Sequence, residues 1–401
     1  MAHKDLSEAK NGKNDEFYTQ YHDIEHEMTA YLEYNPNTFR GKIVLLPCDD
    51  PEWSNFTKFF AQNFERLGLK KLISTSYAVE SKNYKKNYQP TLFEKKDPQY
   101  DKSKTRINGK IFTLTRDKSG DGKIDVNDLE WTYLKGDGDF RSEEIKKLRD
   151  KADIIITNPP FSLFREFLAW IVEAHKGFVI IGNMNAITYK EVFPLIKNNK
   201  MWTGTRFNQR VNGKNMTFAV PDDYKLTGTE VEINSDGKKM ISVSGTGWFT
   251  NIDHGRRHQP LILMTMADNF KFSKHKEIKR KKYKKYDNYD AIEIPFTDAI
   301  PSDYKGVMGV PISFLNKYNP KQFKILGATQ RGCHDDVPDK KKYDDYWEVT
   351  QSGHKTGSSG GKTNENANLV QNDGEKNYFI NKNGRIVQSK YQRIFIIHKR
   401  K

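Results

Sequence analysis

The sequence predicts an α/β protein built on a doubly wound, mostly parallel sheet, with a β-rich, basic region after it. Three observations carry that expectation. Apolar runs of strand length alternate with helical patterns from Lys42 to about Lys200, the order of successive βαβ units. The apolar runs "KIVLLP", "KLISTSY", "DIIIT" and "GFVIIGN" are short enough to be buried strands. After about Met201 the chain turns aromatic, β-branched and basic, as in "GKKMISVSGTGWFTNIDHGRRHQPLILMTM".

Taken in order, residues 1–14 are polar and loose. A catalytic-type α/β domain is expected over 15–200, with an insertion at about 80–135, and a second region over 201–401. "KIVLLP" is the first strand. The helix after it, "EWSNFTKFFAQNFERLG", takes Asp50 as N-cap, Pro51 in its first turn and Gly68 as stop. Phe56, Phe59, Phe60, Phe64 and Leu67 then share one stripe. "KLISTSY" is the second strand. Residues 80–135 break the rhythm with lysine-rich sequence and hairpin-like runs such as "RINGKIFTLTR". "DIIIT" resumes it; Ser162 can cap the helix "LFREFLAWIVEA", and "GFVIIGN" and "ITYKEVFPLIKNN" read as strand and helix. Residues 353–368 are poor in apolar side chains and read as a long mobile loop, and "QRIFIIHK" as a final strand.

Composition narrows the class. The 401 residues are 36% hydrophobic and 30% charged, consistent with a soluble globular chain. A formal charge of +15 points to a polyanionic partner, most simply nucleic acid. No apolar run reaches the roughly 20 residues that span a bilayer, and the first residues lack the apolar core of a signal peptide. Cys48 and Cys333 alone make no disulfide framework, which fits the cytoplasm.

The chemistry concentrates at Asn158-Pro159-Pro160-Phe161, at the carboxyl end of a buried strand, the edge where α/β sheets bind ligands. An exocyclic amino nitrogen is a poor nucleophile because its lone pair is delocalised into the ring. Two acceptors that each take one N–H favour a pyramidal nitrogen and free the pair. Asn158 offers a side-chain oxygen and Pro159 a carbonyl held by proline's locked φ. Phe161 offers a face on which an extruded base can stack. Alignment and electrostatics supply the remainder, with no general base needed before attack.

These residues resemble the catalytic motif of S-adenosylmethionine-dependent amino methyltransferases. With its flanks the chain resembles the EcoRI-type DNA adenine methyltransferases. The segments "NDEFYTQYHDIE", "CDDPEWSNFTKFFAQNF", "GLKKLI", "GDGDFRS", "NPPFSLFREFL", "IIGNMNAITYKEVF", "KYDNYDAI" and "DYKGVMGVPISFL" follow the family order from about Asp15 to about Phe323. The resemblance implies a Rossmann-like class I methyltransferase fold, adenine N6 methylation in double-stranded DNA by base flipping, and a monomer of a restriction–modification system. It implies that Tyr18, Thr19 and Gln20 lie near the cofactor's carboxylate. Cys48, Asp49, Asp50 and Pro51 would lie near its amino group, and Asp137, Gly138, Asp139 and Phe140 near its adenosine. The chain departs from most such enzymes in having no glycine-rich loop in "CDDPEWSN" and no acidic end to the second strand. Asp50 remains equally a helix cap, and Asp137 and Asp139 a Gly-Asp turn.

Residues 271–285 hold nine Lys or Arg with Phe272 and Tyr283 interleaved. Lys279, Arg280, Lys281, Lys282, Lys284 and Lys285 are candidates for phosphate contact. Arg206, Asn208, Arg210, Arg256 and Arg257 are candidates for reading bases. "DKSGDGKIDVND" puts Asp117, Ser119, Asp121, Lys123, Asp125 and Asp128 at the ligand positions of an EF-hand-like calcium loop, with Gly122 at its turn. An Asp/Gly-rich hairpin turn is the favoured reading of that stretch, so no metal is expected. Two alternatives stay open for the whole chain: a methyltransferase acting on RNA or on a protein glutamine, and a catalytically silent DNA-binding protein.

Overall fold

The computed structural model of the protein describes residues 17–49, 54–78, 97–207, 216–220, 231–234, 237–279, 282–329, 333, 336–339, 341–358, 361–374, 376–390 and 392–399. It is a mixed α/β structure in two compact units, Met1–Met184 with Trp202–Gly255, and Asn185–Met201 with Arg256–Lys401.

The first unit begins with β1 (Tyr18–Thr19), α1 (Tyr21–Tyr34), β2 (Ile43–Leu46), α2 (Asn55–Gln62), α3 (Phe64–Leu67) and β3 (Lys71–Ser76). There follow α4 (Lys102–Ile107), β4 (Lys110–Leu114), β5 (Glu130–Tyr133), α5 (Glu143–Lys151), β6 (Ile154–Thr157), α6 (Phe164–Glu173) and β7 (Gly177–Asn183). It closes with β8 (Trp202–Phe207), β9 (Thr217–Ala219), β10 (Val231–Ile233), β11 (Lys239–Ser242) and β12 (Thr246–Thr250). Eight of these strands form one sheet in the order β5-β4-β3-β2-β6-β7-β12-β8. Its centre, β3-β2-β6-β7, is parallel, and the outer pairings are antiparallel. The next strand in the chain after β2 lies on one side of it and β6 on the other. The order therefore reverses between β2 and β6, and the crevice outside their carboxyl ends is where such sheets take ligands.

The Phe56, Phe59, Phe60, Phe64 and Leu67 stripe is buried, each side chain contributing about 1.5–3 kcal/mol. The helix differs from its sequence reading in two ways. Ser54 is its N-cap, its hydroxyl accepting from Phe56 N at 3.1 Å, and a break at Asn63 separates α2 from α3. Asp50 and Pro51 lie outside the described residues. Ser162 sits in a 3-10 turn, Phe161–Leu163, and the N-cap position of α6 is Leu163. "RINGKIFTLTR" is not a hairpin of its own. It ends α4 and then forms β4, which extends the central sheet between β3 and β5. Strands β12 and β8, beyond the expected boundary at 200, complete that same sheet; Trp248 and Phe249 are fully buried in it.

Helix α1 is anchored by a buried carboxylate. Glu27 accepts from Thr205 N at 2.9 Å, from Thr205 Oγ1 at 2.6 Å and from the Tyr31 hydroxyl at 2.9 Å. A Cβ at residue 204 would lie 2.2 Å from Glu27 Oε1, so glycine is required there. Three donors around one buried carboxylate offset its desolvation; an unpaired buried donor costs about 1–3 kcal/mol.

In the second unit, α7 (Phe193–Lys197) and α8 (Met266–Phe272) accompany two four-stranded sheets. One holds β13 (Ala291–Glu293), β14 (Val307–Pro311), β15 (Phe323–Ala328) and β20 (Arg393–His398) in the order β13-β14-β20-β15. The other holds β16 (Tyr346–Val349), β17 (Ala367–Leu369), β18 (Tyr378–Asn381) and β19 (Ile386–Lys390) in the order β16-β18-β19-β17. The final strand is central and buried, as its apolar run requires. Two expectations change here. "ITYKEVFPLIKNN" is helical only over Phe193–Lys197, with Pro194 in its first turn. The stretch read as a mobile loop contains a short helix, α9 (Gly361–Glu365), and the buried strand β17.

The 117–128 turn is held by its own carboxylates. Asp117 accepts from Gly120 N and Gly122 N at 2.7 and 2.8 Å. Asp128 accepts from Lys118 N and Ser119 N at 2.8 Å each and from Asp125 N at 2.9 Å. Among the described residues no group of three His, Cys, Asp or Glu is placed to hold a metal ion. The amides of Asp125, Ser119 and Lys118 pull the Asp128 carboxyl down to about 2. Its folded value lies below the ordinary value of about 3.9. The turn is therefore fully stabilised above that value and loses the contribution as pH falls toward 2. We expect hydrogen-exchange protection of the Lys118 and Ser119 amides to fall between pH 4 and 2, and to be weak and flat with pH in Asp128→Asn. The same acid loss in both proteins would rule this cause out.

Candidate active site

Strand β6 is buried throughout, three isoleucines followed by Thr157, so it lies at the sheet centre and delivers the next residue to the carboxyl edge. Its last residue sets the register of that edge: Thr157 Oγ1 donates to the Pro47 carbonyl at 2.8 Å, joining the ends of β6 and β2. Asn158 follows, half-buried. Its Nδ2 donates to the Phe17 carbonyl at 2.7 Å. A backbone carbonyl only accepts, so the amide nitrogen must face it, and the orientation of the side chain is determined by chemistry. The amide oxygen is shielded from solvent and, among the described residues, has no hydrogen-bond partner. Pro159 and Pro160 are buried. The following turn is closed through the Pro160 carbonyl, which accepts from Leu163 N at 2.9 Å. Phe161 is half-buried, and its ring lies 5.5 Å from that of Phe17 and 6.3 Å from that of Phe218, both edge-on. Phe17 and Phe218 are 5.9 Å apart, so three elements contribute to one ring cluster.

The amino-terminal segment lies across this edge. Tyr18 and Thr19 pair with Ala219 and Phe218 of β9. The Thr19 carbonyl accepts from Asn55 Nδ2 at 2.8 Å, and its hydroxyl is buried with no hydrogen-bond partner among the described residues. Gln20 stands at the start of α1 without a side-chain cap bond, its Nε2 3.4 Å from the Tyr18 carbonyl.

After β2 the backbone turns through Cys48 at φ 65°, a left-handed conformation that non-glycine residues rarely take. Cys48 Sγ donates to the Tyr77 hydroxyl at 3.4 Å. Asp49 is buried; its Oδ1 accepts from the Ser54 hydroxyl at 2.7 Å and its carbonyl from the Ser74 hydroxyl at 2.6 Å. Asp137 reaches the end of β3, where its carbonyl accepts from Ala78 N at 2.8 Å. Gly138 has φ 88°, and a Cβ there would lie 2.3 Å from the Ser76 carbonyl. Asp139 turns away to Arg141, which meets it through Nε at 2.8 Å and through its own backbone N at 2.9 Å. Arg141 also approaches Glu166 on α6 at 3.5 Å. Phe140 is fully buried, 5.1 Å from Phe167 and 5.7 Å from Trp170. Its ring is part of the core and offers no face to a ligand, because the GDGDF turn drives it beneath the edge.

The edge thus gathers Tyr18, Thr19, Cys48, Asp49, Asp137, Gly138 and Asn158, but not the Phe140 side chain. Three of its members were not singled out from sequence: Phe17, Tyr77 and Phe218. Phe17 lies inside the "NDEFYTQYH" segment; nothing local marks Phe218.

The basic candidates separate. Asn208, Arg210, Arg280 and Lys281 lie outside the described residues, as does the side chain of Arg206. Lys279, Lys282, Lys284 and Lys285 are exposed, and Lys284 Nζ bonds the Gln371 side chain. Arg256 is half-buried, whereas Arg257 is buried and hydrogen-bonded to the Asn199 side chain. Its guanidinium ties two segments of its own unit together, where the expectation was of a base reader.

The family model described as adenine-specific methyltransferase EcoRI matches residues 5–399. The chain is 45% identical to the type II methyltransferase M.EcoRI of Escherichia coli over 323 residues, 80% of this chain and 88% of that protein. It is 34% identical to the type II methyltransferase M.MpnI of Mycoplasma pneumoniae, over 80% of this chain and 84% of that protein. For the type II methyltransferase M.MgeORF184P of Mycoplasma genitalium the identity is 36%, over 80% and 85%. No solved structure matches the chain.

Gly138→Ala is expected to lower stability by about 1–3 kcal/mol, since it combines a positive φ with a backbone clash, measured as the shift of the denaturant midpoint. An unchanged midpoint would mean that the loop retreats from Ser76 without cost.

Proposed function

This chain belongs to the EcoRI family of adenine-specific methyltransferases, and on that footing we propose a site-specific enzyme that methylates adenine N6 in duplex DNA. It takes the methyl group from S-adenosylmethionine, turns the target base out of the helix, and serves as the modification enzyme of a restriction–modification system. It works as a monomer in the cytoplasm; no helix of the described residues is long and apolar enough to cross a membrane. The parallel centre of the sheet, with its order reversing between β2 and β6, supports a doubly wound, Rossmann-like catalytic unit.

One observation carries the reading: at the carboxyl end of β6 the Asn158 amide has its nitrogen engaged and its oxygen without a partner among the described residues. That oxygen accepts one N–H of the adenine amino group and the Pro159 carbonyl accepts the other. Both pull the nitrogen toward a pyramidal, nucleophilic form, and the pair costs no reorganisation because proline and the Phe17 bond hold it. The half-buried Phe161 ring provides the stacking partner of the extruded base.

The residues present also fit S-adenosylmethionine. The Thr19 hydroxyl is buried with no partner among the described residues, and the buried Asp49 carboxylate after β2 supplies negative charge. Tyr18, Thr19 and Gln20 would hold the carboxylate end, Cys48 and Asp49 the amino group, and Asp137 and Gly138 the adenosine. When bound, the cofactor supplies an electrophilic methyl group on a sulfonium sulfur. In the second unit, exposed Lys279, Lys282, Lys284 and Lys285 provide phosphate contacts.

Tritium transfer from labelled S-adenosylmethionine tests the activity: N6-methyladenine is expected in duplex DNA digests, and label confined to RNA or protein would overturn the assignment. Asn158→Ala should lower kcat by at least about 100-fold while isothermal titration shows cofactor affinity nearly unchanged; retained turnover would remove Asn158 from the chemistry. Replacing Lys282, Lys284 and Lys285 by Gln should weaken DNA binding at all sequences and reduce the slope of log K against log salt by about 2.7. A loss confined to the cognate site would instead make these lysines base readers.

A further inference from the structure

The Asn158 amide presents a problem that its own motif does not solve. An amide is nearly symmetric in shape, and rotation by half a turn about its last bond exchanges oxygen and nitrogen. With the oxygen outward it accepts an N–H of an amino group; with the nitrogen outward it opposes that group donor to donor. The two prolines hold the backbone and have no control over this rotation. The control comes from 141 residues earlier in the chain, where the Phe17 carbonyl accepts from Nδ2 at 2.7 Å. Rotation would lose that bond and set two oxygens against each other in a site already shielded from solvent. Donation to Phe17 also polarises the amide and enriches its oxygen as an acceptor. The same residue holds the other catalytic side chain, since the Phe17 ring meets the Phe161 ring edge-on at 5.5 Å.

We propose that Phe17 is a positioning residue for methyl transfer: its carbonyl sets the rotamer of the Asn158 amide so that the oxygen faces the target amine. The proposal rests on the reading of Asn158 as the catalytic acceptor. It makes the amino-terminal strand part of the machinery that orients the target base as well as part of the cofactor edge.

Asn158→Asp separates this role from a simple need for an acceptor. An ionised carboxylate must turn one oxygen to the Phe17 carbonyl and is repelled. A protonated carboxyl donates its O–H to that carbonyl and leaves its C=O as acceptor, reproducing the pattern of asparagine. Burial beside a carbonyl raises the carboxyl above its ordinary value, so lowering pH restores function. With duplex DNA and S-adenosylmethionine, Asn158→Asp should gain about tenfold in kcat per pH unit of acidification above the raised value, from pH 8 toward pH 5. The wild-type rate should stay level or fall over the same range. A profile for Asn158→Asp that is flat or falls toward acid overturns the proposal, and so does inactivity at every pH with cofactor binding intact. A wild-type protein that methylates no DNA would instead sink the underlying reading.

Should Asn158→Asp fail to bind cofactor, the full chain assembled by ligation at Cys48 with a thioamide at Phe17 provides the second measurement. Sulfur accepts hydrogen bonds more weakly than oxygen. A fall in kcat of about tenfold with KM for S-adenosylmethionine unchanged is expected, and an unchanged kcat overturns the proposal.

Discussion

The bond from Asn158 Nδ2 to the Phe17 carbonyl joins the end of a buried strand to the first described residue of the chain, and it forms only when several elements are already in place. Strand β6 must be registered against β2, which the Thr157 to Pro47 bond secures at their shared edge. The amino-terminal segment must lie along β9, whose Phe218 completes the ring cluster around Phe161. Helix α1 must follow at the right height, and the buried Glu27 does this by gathering Thr205 and Tyr31. The Asn158 amide is thus positioned by the assembly of the first unit, and the four-residue motif alone could not orient it.

The remainder of the edge obeys one economy: backbone is brought close and carboxylates are satisfied locally. A Cβ on Gly138 or Gly109 would lie only 2.3 or 2.5 Å from the Ser76 carbonyl oxygen, so glycine at both positions lets the Asp137 turn rest directly on the end of β3. Asp139 is taken up by Arg141, which also approaches Glu166 on the helix that follows the catalytic motif. Asp49 is held by Ser54, the cap of α2. Acidic residues therefore stand at this edge in fixed orientations, as a binding site for a charged ligand requires.

Much of the central sheet was legible because buried strands and helical stripes are local patterns. "DIIIT", "GFVIIGN" and the phenylalanine stripe of residues 56–67 each declare their environment through a run or a period. Helix α1 went unread although Ile24, Met28 and Tyr31 recur at helical spacing and are all fully buried. The caps were misplaced, Asp50 for Ser54 and Ser162 for the Leu163 position, because several residues within one turn can serve and packing selects among them. Residues 361–368 resembled a loop by composition, yet Ala367 and the Asn368 side chain are buried in β17. Hydrogen bonds from Asn368 to Thr363 and Asn366 replace apolar contact there.

At the site, the Asn158-Pro159-Pro160-Phe161 motif and its place at a strand end could be read directly, since chemistry confined to four consecutive residues leaves a local trace. The lysines of residues 279–285 could be read as a charge run, but exposure separated Lys279 and Lys282 from buried Arg257. Sequence by itself determined which side chains could accept, stack and carry charge, and which segments would be strand or helix. Only the tertiary structure decided that the Asn158 oxygen rather than its nitrogen is left available, that Phe140 belongs to the core, and that Phe17, Tyr77 and Phe218 share the edge. The physical reason is that hydrogen-bond direction and burial are properties of pairs of groups, and here the partners are separated by up to 141 residues of chain.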